Sequence, residues 1–78
     1  MKSQLKIFRE QKDETLESMA VKLQIGISRY YYIEIGKRPA SPVLAERIAN
    51  ILGVKEDEIF LPQSFTVRKL DATGTDGN

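Results

Sequence analysis

The sequence predicts an all-α domain of five short helices followed by an extended or disordered C-terminal tail. Three observations carry that prediction. Apolar residues recur at helical spacing, most clearly at Leu16, Met19, Ala20 and Leu23. Good N-caps precede the apolar runs, namely Ser3, Thr15 and the pair Ser41-Pro42. The segment Ile27 to Ile33, rich in β-branched and aromatic residues, does not alternate cleanly and has no neighbouring strand partner.

Taken in order, Ser3 is placed to cap a first helix running to about Lys12, with Leu5 and Phe8 three residues apart. Thr15 is placed to cap a second helix ending near Leu23. Glu17 lies in its first turn, where the helix dipole favours an acid. Gln24-Ile25-Gly26 is long enough for a helix-to-helix turn. Ile27 to Glu34 reads as a third helix, with Tyr30 and Ile33 three apart on the core side. Gly36 suits the end of that helix, and Pro39 stops any continuation. Ser41 and Pro42 start a fourth helix, lined by Leu44, Ala45, Ile48, Ala49, Ile51 and Leu52 and ending at Gly53. A fifth helix is expected from Val54 to Phe60, closed by Pro62. The domain is therefore expected over residues 1–62 and the tail over 63–78. Within the tail, Ser64 to Arg68 can form a short strand because Phe65 and Val67 alternate with polar residues. Residues 71–78, rich in Gly, Thr and Asp, are expected to be disordered.

Composition narrows the chemistry. At 78 residues the chain is one domain at most, and about 60–65% of its unfolded surface can be buried. It has no Cys, which excludes a disulfide scaffold and a Cys-based zinc site. It has no His, which excludes His-dependent triads and imidazole acid–base chemistry. Nothing places two carboxylates in a pocket, so an enzyme is not expected, and neither is a metal or other cofactor. No apolar run approaches the ~18–20 residues of a membrane span. The N-terminus lacks the apolar region of a signal peptide, so a cytoplasmic protein without membrane partners is expected.

The net charge of +1 hides an uneven distribution. Residues 22–52 hold Lys22, Arg29, Lys37, Arg38 and Arg47 against Glu34 and Glu46, a local excess of +3. Residues 53–60 hold Lys55 against Glu56, Asp57 and Glu58, a local −2. The two flanking segments sum to zero. A basic middle segment suits one face meeting an anion.

Two helices joined by a three-residue turn, the second in the most basic segment, form a helix-turn-helix pattern. The specific residues go further. The run Thr15 to Leu23, then Ile25, then Ile33-Glu34-Ile35-Gly36-Lys37-Arg38-Pro39, resembles the phage repressor and Cro family of helix-turn-helix domains, the Xre-type regulators. Ile48 to Val54 and Arg9 within Leu5 to Glu10 add to that resemblance, which covers residues 4–60. Each motif is weak alone; the order and spacing together are fairly specific.

The resemblance implies a lambda-repressor-like bundle that acts as a sequence-specific, double-stranded-DNA-binding transcriptional regulator, most often a repressor. It implies that Arg9 and Glu34 form an internal ion pair, which would keep a carboxylate from repelling phosphate and fix the angle between two helices. It places Ile27, Ser28, Tyr31 and Tyr32 at base edges in the major groove. Ser28 can donate or accept, and Ile27 can pack on a thymine methyl. Arg29, Lys37, Arg38 and, more weakly, Lys22 are the phosphate-binding candidates. Leading N–H groups of the second helix can also hold a phosphate. The plainer reading of these lysines and arginines is solvated charge, and of Tyr31 and Tyr32 a packing cluster.

Domains of this kind usually act as homodimers on two half-sites. Ile59, Phe60 and Leu61, with Phe65 and Val67 as a strand pair, are the interface candidates; alternatively they close the monomer's own core. No small-molecule effector is expected, since the chain has no room for a sensor domain. Three departures from the family stand out. Gln24 occupies a turn position commonly held by Gly, Gly26 an N-cap commonly held by Ser or Thr, and Leu16 a site where Gln often touches DNA. A rearranged turn is one expected consequence. The competing function is a protein-interaction module on the same fold, such as an antitoxin or a regulator's partner, using its exposed tyrosines.

Overall fold

The computed structural model describes residues 2–70, without the side chain of Leu70. Its elements are β1 (Lys2–Ser3), α1 (Gln4–Gln11), α2 (Leu16–Leu23), α3 (Ile27–Glu34), α4 (Pro42–Leu52), α5 (Glu56–Ile59) and β2 (Lys69–Leu70). The expected five helices are present, and the caps explain where they start. Ser3 Oγ accepts from the Lys6 N–H at 3.1 Å. Thr15 Oγ1 accepts from the Ser18 N–H at 2.9 Å, and Ser18 Oγ returns the bond to the Thr15 N–H. Ser41 Oγ accepts from the Leu44 N–H, with Pro42 at the first helical position. Gly36 and Gly53 both take the left-handed conformation that ends α3 and α4.

The turn between α2 and α3 keeps the geometry a glycine would give. Gln24 sits at φ 58°, ψ 42°, the left-handed region. Its N–H bonds the Val21 carbonyl, and the Ile25 N–H reaches the Ala20 carbonyl at 3.0 Å. The expected rearrangement does not occur; the side chain tolerates the strained position instead. Gly26 is the N-cap of α3 at φ −68°, ψ 149°, with no side chain to cap the helix.

Two boundaries differ from expectation. The fifth helix is shorter than Val54 to Phe60, because the Glu58 carboxylate accepts the Lys55 N–H, making Lys55 the N-cap and Glu56 the first helical residue. At its other end Phe60 is extended, since it bridges antiparallel to Val67. Residues 64–68 are not a continuous strand. Phe65 is left-handed at φ 55°, and the Leu61 N–H bonds the Thr66 carbonyl across a tight loop.

The larger difference concerns residues 63–70, which fold onto the domain rather than trail from it. The Arg68 N–H donates to the Ile59 carbonyl at 2.7 Å, and the Ala40 N–H to the Phe65 carbonyl at 2.9 Å. Val67 joins the core of Leu5, Met19, Leu23, Tyr30, Ile33, Ile48 and Phe60. β2 then pairs antiparallel with β1, Lys2 opposite Leu70 and Ser3 opposite Lys69. A boundary at residue 62 therefore does not separate core from tail. The expectation of disorder over 71–78 lies outside the described residues.

The dimer candidates are affected in the same way. Ile59, Phe60 and Val67 are buried within the monomer, because they close its core between α5 and the returning chain. They are not available to a second copy. Leu61 is exposed and Phe65 half-buried, so these two remain on the surface.

Candidate nucleic-acid interface

α3 divides its side chains by helical spacing. Tyr30, Ile33 and Glu34 turn inward and are buried. Ile27, Ser28, Tyr31 and Tyr32 are all exposed and share the opposite stripe. Tyr31 and Tyr32 keep their rings 6.1 Å apart, tilted at 46°. Arg29 is exposed at the edge of this stripe.

The chain leaves α3 through Ile35 and Gly36 into a loop carrying Lys37 and Arg38, both exposed. Their backbone N–H groups both bond the Tyr32 carbonyl, at 2.9 and 3.2 Å, which holds the loop against the helix end. The Lys37 ammonium lies 5.7 Å from the Tyr32 ring centre, within cation–π range. Two of the phosphate candidates are thereby fixed beside one of the base-edge candidates. Lys22 differs from them: its ammonium pairs with the Glu14 carboxylate. That carboxyl is held below its ordinary value by the hydrogen bonds from Lys22 and Ser18. Lys22 therefore shares its charge with Glu14 in an exposed pair. Leu16, half-buried, packs against the core.

Behind the exposed stripe lies a buried polar cluster. Arg9 Nε donates to Glu34 Oε1 at 2.8 Å and Nη2 to Oε2 at 3.0 Å, a two-pronged pair between α1 and α3. Arg9 is 8% exposed and Glu34 3%. Arg9 Nη1 also donates to the Glu14 carbonyl at 2.7 Å, tying in the loop before α2. The Tyr30 hydroxyl donates to Glu34 Oε1 at 3.0 Å. Hydrogen bonding to Glu34 raises the Arg9 guanidinium above its usual range, against the opposing effect of burial. Burial pushes the Tyr30 phenol well above its ordinary value, reinforced by the neighbouring Glu34 charge. Tyr30 is therefore a neutral donor and Arg9 a permanent cation. Glu34 is surrounded by donors, so its charge is neutralised on the protein side.

Residues missed from the sequence also reach this surface. A cleft of about 310 Å³ runs beside Tyr31 and Ile35, and Lys6 of α1 and Lys69 of β2 line it. No local signal in the sequence could have found Lys69. Its position depends on β2 pairing with β1 across almost the whole chain.

A short two-helix unit with an exposed second helix, a basic loop after it and a buried ion pair behind it defines a helix-turn-helix domain. The chain belongs to the helix-turn-helix domain family, whose match spans residues 3–61. It is similar to an uncharacterised HTH-type transcriptional regulator of Methanocaldococcus jannaschii. The two are 39% identical over 61 residues, which is 78% of this chain and 92% of that protein. No solved structure matches. Among the described residues, no helix is long and apolar enough to cross a membrane.

Proposed function

We propose that the protein is a sequence-specific DNA-binding transcriptional regulator that represses by occupying its site. α3 enters the major groove, with Ile27, Ser28, Tyr31 and Tyr32 at base edges. Lys37, Arg38 and Arg29 meet phosphates, and Lys22 contributes least because Glu14 already holds it. The observation that carries this reading is the exposure of those four α3 side chains on one stripe beside Lys37 and Arg38. The family match and the transcriptional-regulator name of the archaeal relative support it.

One small reading helix distinguishes few base pairs, so the working unit is a homodimer on two half-sites. Exposed Leu61, beside Pro62 and the half-buried Phe65, is the apolar surface offered to it.

The test is a selection of duplexes from a randomised pool, followed by titration of the selected and a scrambled duplex over a salt series. Specific reading requires a preference for the selected duplex that weakens with salt but survives it. Equal binding to both duplexes would sink the proposal. A palindromic selected sequence, with two protein chains per duplex, is the result the homodimer requires.

A further inference from the structure

We propose that the cleft between α1, α3 and β2 holds a DNA backbone phosphate through Lys6 and Lys69. The proposal rests on the DNA-binding reading above and deepens it: the C-terminal strand becomes part of the nucleic-acid interface.

The placement begins with Gly36, at φ 85° just beyond α3. A Cβ there would lie 2.8 Å from Lys69 Cε, 3.1 Å from its Nζ and 3.5 Å from Val67 Cγ2. The Lys69 side chain therefore runs across bare backbone at the end of the reading helix. A side chain there would push the flexible end of Lys69 off this path, and the left-handed backbone favours glycine. The pairing of Ser3 with Lys69, and of the Gln4 N–H with the Arg68 carbonyl at 2.7 Å, anchors the strand that delivers it.

The cleft that Lys69 enters is open to solvent beside Tyr31, one of the base-edge candidates. Its charged lining is Lys6, Arg9, Lys69 and Glu34. Glu34 is already bound by Arg9 and Tyr30, so its charge does not offset the lysines. Among the described residues, neither Lys6 nor Lys69 makes a salt bridge, whereas Lys2, Arg9 and Lys22 do. Two ammonium groups with no ion-pair partner among the described residues line one cleft on the reading side, which suits an anion. A helix seated in the major groove has backbone phosphates flanking it on both sides. Lys37 and Arg38 serve the phosphates beside Tyr32, and Lys6 and Lys69 the phosphate beside Tyr31.

The experiment compares the wild type with Lys6→Gln, Lys69→Gln and the double variant, on the selected and scrambled duplexes over a chloride series. The double variant is expected to lower the slope of log affinity against log salt by about 0.9, the value of one phosphate, on both duplexes, and each single change by part of that. Lys69→Arg is expected to keep the wild-type slope, and so is Lys55→Gln at the start of α5. Thermal melting of each variant separates lost folding from lost contact, and Lys6→Gln tests the cleft without touching β2. Wild-type slopes in both single variants would overturn the proposal while leaving the DNA reading intact. A wild type that binds neither duplex would overturn the DNA reading itself. A final arm replaces chloride by inorganic phosphate at equal ionic strength. A lysine-dependent weakening by phosphate beyond that of chloride is the expected result, because the two anions compete for the cleft. Phosphate binding to the lysines that leaves DNA affinity unchanged would assign the cleft to a free anion and overturn the proposal.

Discussion

The two faces of α3 put the same residue type in opposite surroundings. Tyr30 is fully buried, and its hydroxyl is spent on Glu34. Its neighbours Tyr31 and Tyr32 are 44% and 37% exposed, with their hydroxyls outside the core. The inner face is built from satisfied polar contacts around Arg9 and Glu34, so each group there has a fixed partner. The outer face has almost none, apart from Lys37 over the Tyr32 ring. A helix that must present groups to an external partner keeps them unsatisfied, and the inner face supplies the rigidity that this requires.

The comparison can be broken first at Arg9. Arg9→Ala leaves the Glu34 carboxylate buried with only Tyr30 as a donor. The expected loss is about 3–5 kcal/mol, read by denaturant unfolding. For a domain of this size that is a large share of total stability. A loss below about 1 kcal/mol would show that the pair behaves as a surface pair. Next come the three tyrosines, changed alike. Tyr30→Phe is expected to cost about 1.5 kcal/mol, the value of a hydrogen bond to a charged acceptor. Tyr31→Phe and Tyr32→Phe should stay within about 0.5 kcal/mol. Three equal losses would erase the distinction between the faces.

The outer face is sharpened by Tyr32→Ala. Its affinity for a selected duplex should fall about tenfold, the scale of one base-edge contact, and its affinity for scrambled duplex much less. Equal losses on both would make Tyr32 a backbone contact. The smallest effect lies in the turn that leads into α3. Gly26 has open space where a Cβ would go and a backbone any residue can adopt. Gly26→Ser should therefore raise stability by about 0.5 kcal/mol, through a cap and a stiffer unfolded chain. A loss on thermal melting would mean that the helix start is constrained in some other way.

Much of this was legible in the sequence because it depends on near neighbours. Ser3, Thr15 and Ser41 cap within three residues, and the apolar spacing of α2 and α4 picks out the core. The opposite orientations of Tyr30 and Tyr31 follow from helical spacing alone. The Gln24 turn was harder to read, because an unfavourable residue there could mean either a new geometry or a tolerated strain. The return of residues 63–70 was not legible. Val67 and Lys69 are placed by partners at Phe60 and Ser3, and alternation within the segment says nothing about which strand it will meet. The same distance hid the roles of Ile59 and Phe60, which look like an exposed helix end until the returning chain covers them.

Amide chemical-shift mapping of the uniformly labelled protein, titrated with a selected duplex, tests the division of α3 most directly. The largest shifts are expected at Ile27, Ser28, Tyr31 and Tyr32 and through Lys37 and Arg38, with the core of α4 unmoved. Shifts centred on α5 and residues 61–65, with the outer stripe of α3 silent, would contradict it.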